Sequence, residues 1–377
     1  MALTSDVLIA GGGPAGLAAA IALRQRGADV LLVDALQPPI DKACGEGLMP
    51  DSLRELAQLG VELTPRQGAP FRGIRFCDER STVSADFPLC GGFSSGGIGI
   101  RRLALHTLLV NRAREAGVRL RWGTTIILKP GQPALLAHEP VSYRYLIGAD
   151  GLSSRVRSWA GLERGALLTK RFGFRIHYRI APWSPYVEIH WGQRGQAYVT
   201  PVAPNEICIT VMSRFPGSVR SDEVIHSIPA LREKLMHAEI TTHERGALTT
   251  TRRLHRVVRG NIALIGDASG SADAITGEGL AMSFRQAMLL ADSIAGGSLA
   301  QYAAGHAEIL RLPQAMARIM LFMDRWHGVR RKALSVLDHD PLLFEKMLRV
   351  HVGEEPLRRF LIQDAPRLGR RILLSHA

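Results

Sequence analysis

The first residues that could carry chemistry are glycines close to the N-terminus. Gly11, Gly13 and Gly16 fit the pattern G-x-G-x-x-G, with Pro14 and Ala15 between the last two. In this pattern the first glycine permits a tight turn, and the second lets a pyrophosphate approach the backbone. The third lets a helix pack closely on a strand, and that helix offers free N–H groups to the phosphates. The spacing therefore predicts a dinucleotide site.

An acidic residue at a suitable distance strengthens this prediction. Asp34 comes 18 positions after Gly16, where a carboxylate suits the hydroxyl pair of a ribose. Apolar runs at residues 7–10 and 30–33 predict strands, and the alanine-rich residues 15–26 predict a helix between them. This order opens a βαβ unit, which favours a nucleotide site over a glycine-rich turn beside a surface aspartate.

Two later passages place an aspartate and a glycine at the end of a predicted strand. The first contains Asp150 and Gly151, and the second contains Gly266 and Asp267. With the N-terminal glycines, these passages make the chain resemble the flavoprotein hydroxylases of the p-hydroxybenzoate hydroxylase type and their relatives, the geranylgeranyl reductases. Both families share the three motifs in this order. The resemblance covers roughly residues 1–300.

The resemblance implies FAD as the cofactor. The glycine loop would hold its pyrophosphate, Asp34 its adenosine ribose and Asp267 its ribityl chain. Asp150 and Gly151 would lie near the pyrophosphate, where such enzymes also receive NADH or NADPH as a transient reductant. The residues expected to contact FAD are Gly11, Gly13, Pro14, Ala15, Gly16, Asp34, Cys44, Gly45, Arg102, Asp150, Gly151, Gly266, Asp267, Gly277, Glu278 and Gly279.

Two of these implied contacts depend on the starts of helices. Arg102 fits the family's Arg-x-x-Leu opening of a helix, and Arg101 is a close rival because the register is ambiguous by one residue. Gly277, Glu278 and Gly279 begin another helix, whose N-terminus would face the pyrimidine ring of the flavin. The positive end of a helix at that place would stabilise the anionic reduced flavin.

The late Gly-Asp region departs from the hydroxylase pattern. Such hydroxylases usually continue with Ala-His and later carry a proline before Gly-Gln-Gly, whereas this chain has Gly270, Ala274 and Gly277 at those places. These residues, and the loop around Cys44, look more like the geranylgeranyl reductase branch. Similar loops also occur in flavin hydroxylases of polyketide pathways, so both reactions stay open.

Four side chains are weak candidates for catalysis. Cys44 could react as a thiolate or pack as a small side chain in a glycine-rich loop, and we favour packing. His177, His190 and Tyr198 lie, with Trp191, in a β-rich region expected to cover the flavin. Each could bind or deprotonate a substrate, although packing within the sheet is the plainer interpretation. No hydrolase or metal-binding motif appears, so no metal is expected.

These elements predict an α/β fold with three parts. A Rossmann-type FAD-binding domain would carry an inserted antiparallel β-sheet substrate domain, and a helical C-terminal region would follow. The FAD-binding domain is assigned to residues 1–70, 101–165 and 255–300. The β-rich substrate domain is assigned to residues 71–100 and 166–254, and the helical region to residues 301–377.

Composition limits the function classes further. The 377 residues are 46% hydrophobic, which is enough for a substantial core. The net charge of +13 comes from scattered arginines, with only six lysines and 6% aromatic residues, so we expect no nucleic-acid partner. Four cysteines without a C-x-x-C pair indicate a reduced, cytoplasmic protein. Cys77, Cys90 and Cys208 are expected in the core.

The C-terminal region offers a second interpretation of the basic charge. From residue 300 onward it holds 13 Lys/Arg and 8 Asp/Glu, a net +5. Its apolar residues recur at helical spacing, which is typical of a helix packed on a domain and also of one lying on a membrane surface. We favour packing and keep peripheral membrane contact as an alternative. The apolar residues in question are Met316, Ile319, Met320, Phe322 and Met323.

The leading functional hypothesis is an FAD monooxygenase that uses NAD(P)H and O₂ on a hydrophobic small molecule, aromatic or polyketide-like. The alternative enzyme is an FAD-dependent reductase of isoprenoid double bonds. A third hypothesis, from another class, is a flavin-binding redox partner without catalysis of its own. The sequence leaves the substrate, the choice between NADH and NADPH, and the oligomeric state undetermined.

Overall fold

The computed structural model describes residues 3–88, 96–129, 134–213 and 220–374. Helices and strands alternate at first, then strands dominate, and the chain ends in helices. The strands are β1 (Leu3–Ala10), β2 (Val30–Val33), β3 (Gly47–Leu48), β4 (Ala69–Phe71), β5 (Gly73–Cys77), β6 (Thr82–Asp86), β7 (Gly97–Gly99), β8 (Arg119–Arg121), β9 (Ile126–Ile127), β10 (Leu135–Leu136), β11 (Glu139–Gly148), β12 (Gly165–Arg179), β13 (Tyr186–Trp191), β14 (Gly195–Ala203), β15 (Glu206–Ser213), β16 (Glu239–Ile240), β17 (Arg245–Leu254), β18 (Val258–Arg259) and β19 (Ile262–Leu264).

The helices flank the first sheet and build the C-terminal region. They are α1 (Pro14–Gln25), α2 (Pro50–Gln58), α3 (Arg102–Glu115), α4 (Arg155–Trp159), α5 (Ser221–His226), α6 (Pro229–Leu235), α7 (Gly279–Ala295), α8 (Ala300–Arg325), α9 (His327–His339), α10 (Pro341–His351), α11 (Leu357–Gln363) and α12 (Ala365–Leu374). Two 3-10 turns, Gly266–Ser269 and Ala274–Thr276, lie between β19 and α7.

The first sheet is the nucleotide-binding layer. Its order is β18-β19-β11-β1-β2-β8, and β1 pairs in parallel with both β2 and β11. Parallel strands need helical crossovers, and α1 provides the first. One face of this sheet packs on α1, α3 and α7, with Leu17, Leu109 and Phe284 in the shared core. Because the strands are parallel, the loops at their carboxyl ends gather at one edge.

The second sheet lies over that edge. Its order is β16-β12-β15-β14-β13-β5-β6, and β17 also pairs with β12. The pairs along β12, β15, β14 and β13 are antiparallel, as predicted. The β13–β5 pair is instead parallel, because β5 reaches this sheet on a separate excursion from the first domain. A small third sheet, β3-β7-β4, lies among the connections between the two layers.

The C-terminal helices pack on the second sheet. Phe76 of β5 stacks on Phe344 of α10, with ring centroids 4.8 Å apart. Met320 and Met323 of α8 are buried in the same apolar cluster, whereas Ile319 and Phe322 are about half exposed. The predicted packing of this region on the core is therefore present, and one stripe of α8 faces solvent.

The predicted fold class is confirmed. Between β15 and β16 the chain forms two short helices, α5 and α6, because Pro229 begins the second. Cys208 is buried and Cys77 is half-buried, while Cys90 lies outside the described residues. In the described part of the chain, no helix is both long and apolar enough to cross a bilayer.

Candidate active site

The glycine loop between β1 and α1 fits the roles that its spacing predicts. Gly11 has φ +115°, a conformation that favours glycine, and a Cβ there would lie 2.4 Å from the carbonyl oxygen of Ala149. A Cβ on Gly16 would lie 1.9 Å from the carbonyl oxygen of Gly11. A Cβ on Gly13, by contrast, would have no atom within 4 Å. Gly11 and Gly16 thus allow close packing, while Gly13 faces open space.

Asp34 and His106 hold this loop from two sides. The carboxylate of Asp34, just after β2, accepts hydrogen bonds from the backbone N–H groups of Gly12 at 2.6 Å and Leu36 at 2.8 Å. The imidazole Nε2 of His106 on α3 donates to the carbonyl oxygen of Gly12 at 2.9 Å. Burial lowers the pKa of His106, so the ring stays neutral in this contact.

A cavity of about 610 Å³ opens between the glycine loop and the second sheet. It brings together most of the predicted site residues, although they come from distant parts of the chain. Those lining it are Gly11, Gly13, Pro14, Ala15, Asp34, Cys44, Gly45, Arg102, Asp150, Gly151, Tyr198, Asp267, Gly277 and Gly279. The predicted residues that do not line it are Gly16, His177, His190, Gly266 and Glu278.

The cavity has the features that an FAD molecule requires. A Cβ would meet no atom within 4 Å at Gly45, Gly151, Gly277 or Gly279, so bare backbone faces the space. The N-termini of α1 and α7 carry no side-chain cap, which leaves their positive ends available to anionic groups. The Nε of Arg102 is buried and has no hydrogen-bond partner in the part of the chain that the structure describes. Such a group fits a polar ligand in the cavity.

The structure separates the two rival arginines. Arg102 is 7% exposed, and its side chain lines the cavity. Arg101 points elsewhere, because its guanidinium pairs with Glu206 and also donates to the hydroxyl of Thr241 at 3.3 Å. Arg102 is therefore the arginine placed to contact a cofactor, which favours the predicted register.

Asp150 and Asp267, the two aspartates of the later motifs, have different structural roles. The carboxylate of Asp150 accepts from the backbone N–H groups of Arg155 at 2.7 Å and Val156 at 3.1 Å, so it caps the start of α4. Asp267 projects into the cavity and pairs with Lys42 at 2.8 Å. Both of these side chains are almost half exposed. Asp267 is thus available to a ribityl chain, and Asp150 fixes the turn that presents Gly151.

Glu46 anchors the loop that contains Cys44. It is 2% exposed and has φ +59°, a conformation unusual for a residue with a side chain. Its Oε1 accepts from the backbone N–H of Arg102 at 2.9 Å and from Arg175 at 3.1 Å. Its Oε2 lies 2.7 Å from Nε2 of His177. Three partners from two domains hold this backbone conformation in place.

The same network decides the roles of His177 and Cys208. Glu46, His177 and Cys208 are close enough to share a metal ion. Arg175 already supplies a positive charge to this group, and it also forms two hydrogen bonds of 3.0 Å to Asp41. Burial raises the pKa of the Cys208 thiol well above its ordinary value, which opposes the thiolate that a metal needs. The arrangement fits a structural ion network.

His190 and Tyr198 are also committed to partners. His190 lies on the face of β13 opposite the cavity, and its Nε2 is 2.9 Å from the carboxylate of Glu188. Although burial acts to raise it, hydrogen bonds from His190 and Trp183 hold the pKa of Glu188 at about 2. Tyr198 lines the cavity, but its hydroxyl lies 2.8 Å from the carbonyl oxygen of Ile275. Burial raises the pKa of Tyr198, so it stays protonated.

Apolar side chains make the wall of the cavity that faces the second sheet. Phe71, Ile74, Val187, Ile189 and Met212 all line it, from β4, β5, β13 and β15. Because side chains alternate along a strand, residues two apart in β13 face the cavity while Glu188 and His190 face away. This wall provides a hydrophobic surface for a small molecule beside the nucleotide-binding loops.

Comparison with known proteins identifies the family. The model of the family described as FAD binding domain matches residues 4–312. The chain belongs to this FAD-binding family. The protein is an FAD-dependent oxidoreductase of the p-hydroxybenzoate hydroxylase and geranylgeranyl reductase superfamily, as its motifs predicted. Its match extends into α8, so the first turns of the C-terminal region belong to the shared fold.

Individual relatives of this FAD-binding protein fall into both branches. It is 26% identical to menaquinone reductase of Mycobacterium tuberculosis over 328 residues, which is 79% of this chain and 78% of the relative. It is also 26% identical to 12-dehydrotetracycline 5-monooxygenase/anhydrotetracycline 6-monooxygenase of Streptomyces rimosus. That alignment is 410 positions long, gaps included, and covers 97% of this chain and 80% of the relative. The p-nitrophenol 4-monooxygenase PnpA of Pseudomonas putida has a similar structure, with TM-score 0.78, 17% identity and coverage of 98% and 99%.

Several residues of the FAD-binding site escaped the sequence analysis. Lys42 and Glu46 belong to the Cys44 loop but were not predicted as site residues, and His106 and Arg175 lie outside any motif. The partners of all four are far away in sequence. Gln286 of α7 accepts from the backbone N–H of Gly266 at 2.7 Å and fixes the late Gly-Asp turn. A signal existed for Glu46, which lies between two glycines of the Cys44 loop.

Proposed function

We propose that this FAD-dependent oxidoreductase is a monooxygenase that uses NADH or NADPH and O₂. Its substrate is a hydrophobic small molecule, aromatic or polyketide-like. When bound, FAD takes two electrons from NAD(P)H and activates O₂, so that one oxygen atom enters the substrate and the other leaves as water. The observation that carries the proposal is the apolar wall of Phe71, Ile74, Val187, Ile189 and Met212 beside the nucleotide-binding loops.

The protein's part in this reaction is to position the substrate and exclude water. The apolar wall would hold an aromatic ring and keep water from the reacting atoms. Tyr198 would pack against the ring, because its hydroxyl already donates to the carbonyl oxygen of Ile275 and its raised pKa prevents it from acting as a base. The uncapped N-terminus of α7 would stabilise negative charge on the reduced cofactor.

Sequence relatives support the choice of monooxygenase. The tetracycline monooxygenase of Streptomyces rimosus aligns over 97% of this chain, including the C-terminal helices. The 2-heptyl-3-hydroxy-4(1H)-quinolone synthase of Pseudomonas aeruginosa is 27% identical over 76% of this chain. By its name, the first of these relatives acts on a polycyclic polyketide-like compound, which agrees in class with the proposed substrate.

Isotope labelling tests the proposal. The FAD-loaded protein would be mixed with NADPH or NADH, ¹⁸O₂ and a panel of hydrophobic phenols that includes 1-naphthol. We expect a product heavier by one ¹⁸O atom and faster NAD(P)H oxidation when the phenol is present. Products without ¹⁸O across the panel, together with reduction of an isoprenoid probe, would overturn the monooxygenase assignment.

A second candidate is a reductase of isoprenoid double bonds. The observation in its favour is the Cys44 loop, because Cys44 and Gly45 line the cavity as the reductase branch would require. The menaquinone reductase of Mycobacterium tuberculosis and the digeranylgeranylglycerophospholipid reductase of Methanosarcina mazei are both sequence relatives. Its test is anaerobic: reduced enzyme and menaquinone would give a product that carries two additional hydrogen atoms in its side chain.

The proposal also covers location and partners. We propose that the enzyme works in the cytoplasm and meets its hydrophobic substrate there or at a membrane surface. The half-exposed Ile319 and Phe322 of α8, with Trp326 at 56% exposure, form an apolar stripe beside Arg318 and Arg325. Such a stripe with adjacent cations suits an anionic lipid surface.

A further inference from the structure

Glu278 is a buried acid whose carboxyl has no fixed partner. It lies between Gly277 and Gly279, which face the cavity, but its own side chain lies toward α10 and is 1% exposed. Neither carboxyl oxygen makes a hydrogen bond within the described residues. The ionisable group within 4 Å of it among the described residues is His351, whose Nδ1 is 3.8 Å from Oε2. That separation is too long for a direct hydrogen bond.

The surroundings of Glu278 favour its neutral form. Burial raises the pKa of Glu278, and the nearby carboxylate of Asp51 on α2 acts in the same direction. His351, the hydroxyl of Thr276 and Arg285 of α7 act to lower it. Arg285 is largely committed elsewhere, since it pairs with Asp51 at 2.7 Å. Burial and the lack, among the described residues, of hydrogen bonds to either carboxyl oxygen both favour the protonated form of this carboxyl.

The groups at each end of Glu278 reach the cavity and the surface. Thr276 lines the cavity, and its buried hydroxyl likewise has no hydrogen-bond partner within the described residues. On the other side, a tenth of the His351 side chain is exposed at the end of α10. Its Nδ1 also lacks a hydrogen-bond partner. Thr276, Glu278 and His351 therefore all have unused hydrogen-bonding capacity; the first lines the cavity and the last is partly exposed at the surface.

We propose that Thr276, Glu278 and His351 form a proton path between solvent and the flavin cavity. His351 takes a proton from water, and its Nδ1 passes a proton to Oε2 of Glu278 once a small side-chain rotation closes their 3.8 Å separation to hydrogen-bond distance. The other carboxyl oxygen releases a proton to the hydroxyl of Thr276, which passes its own proton into the cavity. The role of this path in turnover rests on the proposed function, because monooxygenation consumes one proton for each NAD(P)H oxidised.

Two variants and two matched controls test the path. Glu278→Gln keeps the size of the side chain but removes the exchangeable carboxyl proton, and His351→Gln removes the imidazole. Glu55→Gln is the control for the acid, because burial also raises the pKa of Glu55 but Arg285 is its neighbour at 3.5 Å. His339→Gln is the control for the histidine, since His339 is exposed on α9 and lies 2.7 Å from the backbone oxygen of Ser335.

The first measurement uses protein without FAD. Infrared spectra at pH 7 in H₂O and D₂O should show a protonated-carboxyl band that is absent in Glu278→Gln and retained in Glu55→Gln. If Glu278→Gln keeps the full band, the acid is not the proton carrier and the proposal fails. This outcome is independent of the reaction that the enzyme catalyses.

The second measurement follows oxidation of the reduced, FAD-loaded protein by O₂ without a substrate. This reaction converts FADH⁻, O₂ and one proton to FAD and H₂O₂. It takes place whether the enzyme is a monooxygenase or a reductase. We expect Glu278→Gln and His351→Gln each to slow it about tenfold or more and to alter its solvent isotope effect, with unchanged FAD affinity. The double variant should be no slower than either one. Additive losses, or equal losses in Glu55→Gln and His339→Gln, would overturn the path.

Discussion

Substitutions at Gly13 and Gly16, the second and third glycines of the G-x-G-x-x-G motif, allow a sharp test of where the cofactor lies. Gly13 has φ −70° and ψ 177°, which any residue can adopt, and a Cβ there would meet no protein atom within 4 Å. Gly13→Ala should therefore leave the FAD-free protein as stable as before, or more stable by about 0.4–1 kcal/mol through the unfolded state. In Gly16→Ala the new Cβ would lie 1.9 Å from a backbone oxygen. That protein should be destabilised by about 1–3 kcal/mol.

The two variants should differ in how they lose FAD. The Gly13→Ala methyl group enters the space assigned to the pyrophosphate, and overpacking of about 1–3 kcal/mol corresponds to roughly 5- to 150-fold weaker binding. The assay combines a fluorescence titration of FAD with thermal unfolding of the FAD-free protein. Gly16→Ala should lose affinity and stability together. If Gly13→Ala binds FAD within twofold of the parent, or unfolds several degrees earlier, the proposed position of the pyrophosphate is wrong.

Three further predictions concern binding, pH and surface contact. Arg102→Lys should weaken FAD binding about tenfold because a charged hydrogen bond is lost, whereas Arg101→Lys should leave the FAD titration unchanged. Burial lowers the pKa of His306 to about 4 from 6.5. Its contribution to stability is therefore present above pH 6.5 and is lost as pH falls toward 4, up to about 3 kcal/mol. His306→Gln should flatten the unfolding profile over this interval, and an unchanged profile would contradict the assignment. Phe322→Ser should reduce sedimentation with anionic phosphatidylglycerol vesicles roughly tenfold. The control Met236→Ser, at a residue that is 65% exposed against 52% for Phe322, should not. Equal retention of both variants by the vesicles would argue against membrane contact.

Local patterns were enough to predict the nucleotide-binding half of the fold. The glycine loop, the helix α1 that follows it, and the strand β2 that ends before Asp34 can all be predicted from short-range rules on turns and apolar periodicity. β2 occupies residues 30–33 as predicted, and α1 is displaced by a single residue at each end. Gly11 and Gly16 could be assigned from sequence because their need for glycine arises within the loop itself and at the adjacent turn.

Long-range partners explain what the sequence did not predict. His177 and His190 looked alike as histidines in strands, yet one pairs with Glu46 and the other with Glu188. Glu278 belongs to a glycine-rich motif, but its side chain turns from the cavity because α10 offers a buried site on the other side. No local rule contains this information. It depends on which strands of the second sheet become neighbours and on how the last helices pack.

The ion network around Glu46 limits how ligands can enter. Asp41 and Glu46 belong to the loop after β2, whereas Arg175 and His177 belong to β12 of the second sheet. Separating the two layers would break this buried network, and removing one partner of such a pair costs about 3–5 kcal/mol. The network therefore opposes separation of the two layers. We expect substrate and product to exchange at the outer margin of the cavity, where the Lys42 side chain is almost half exposed.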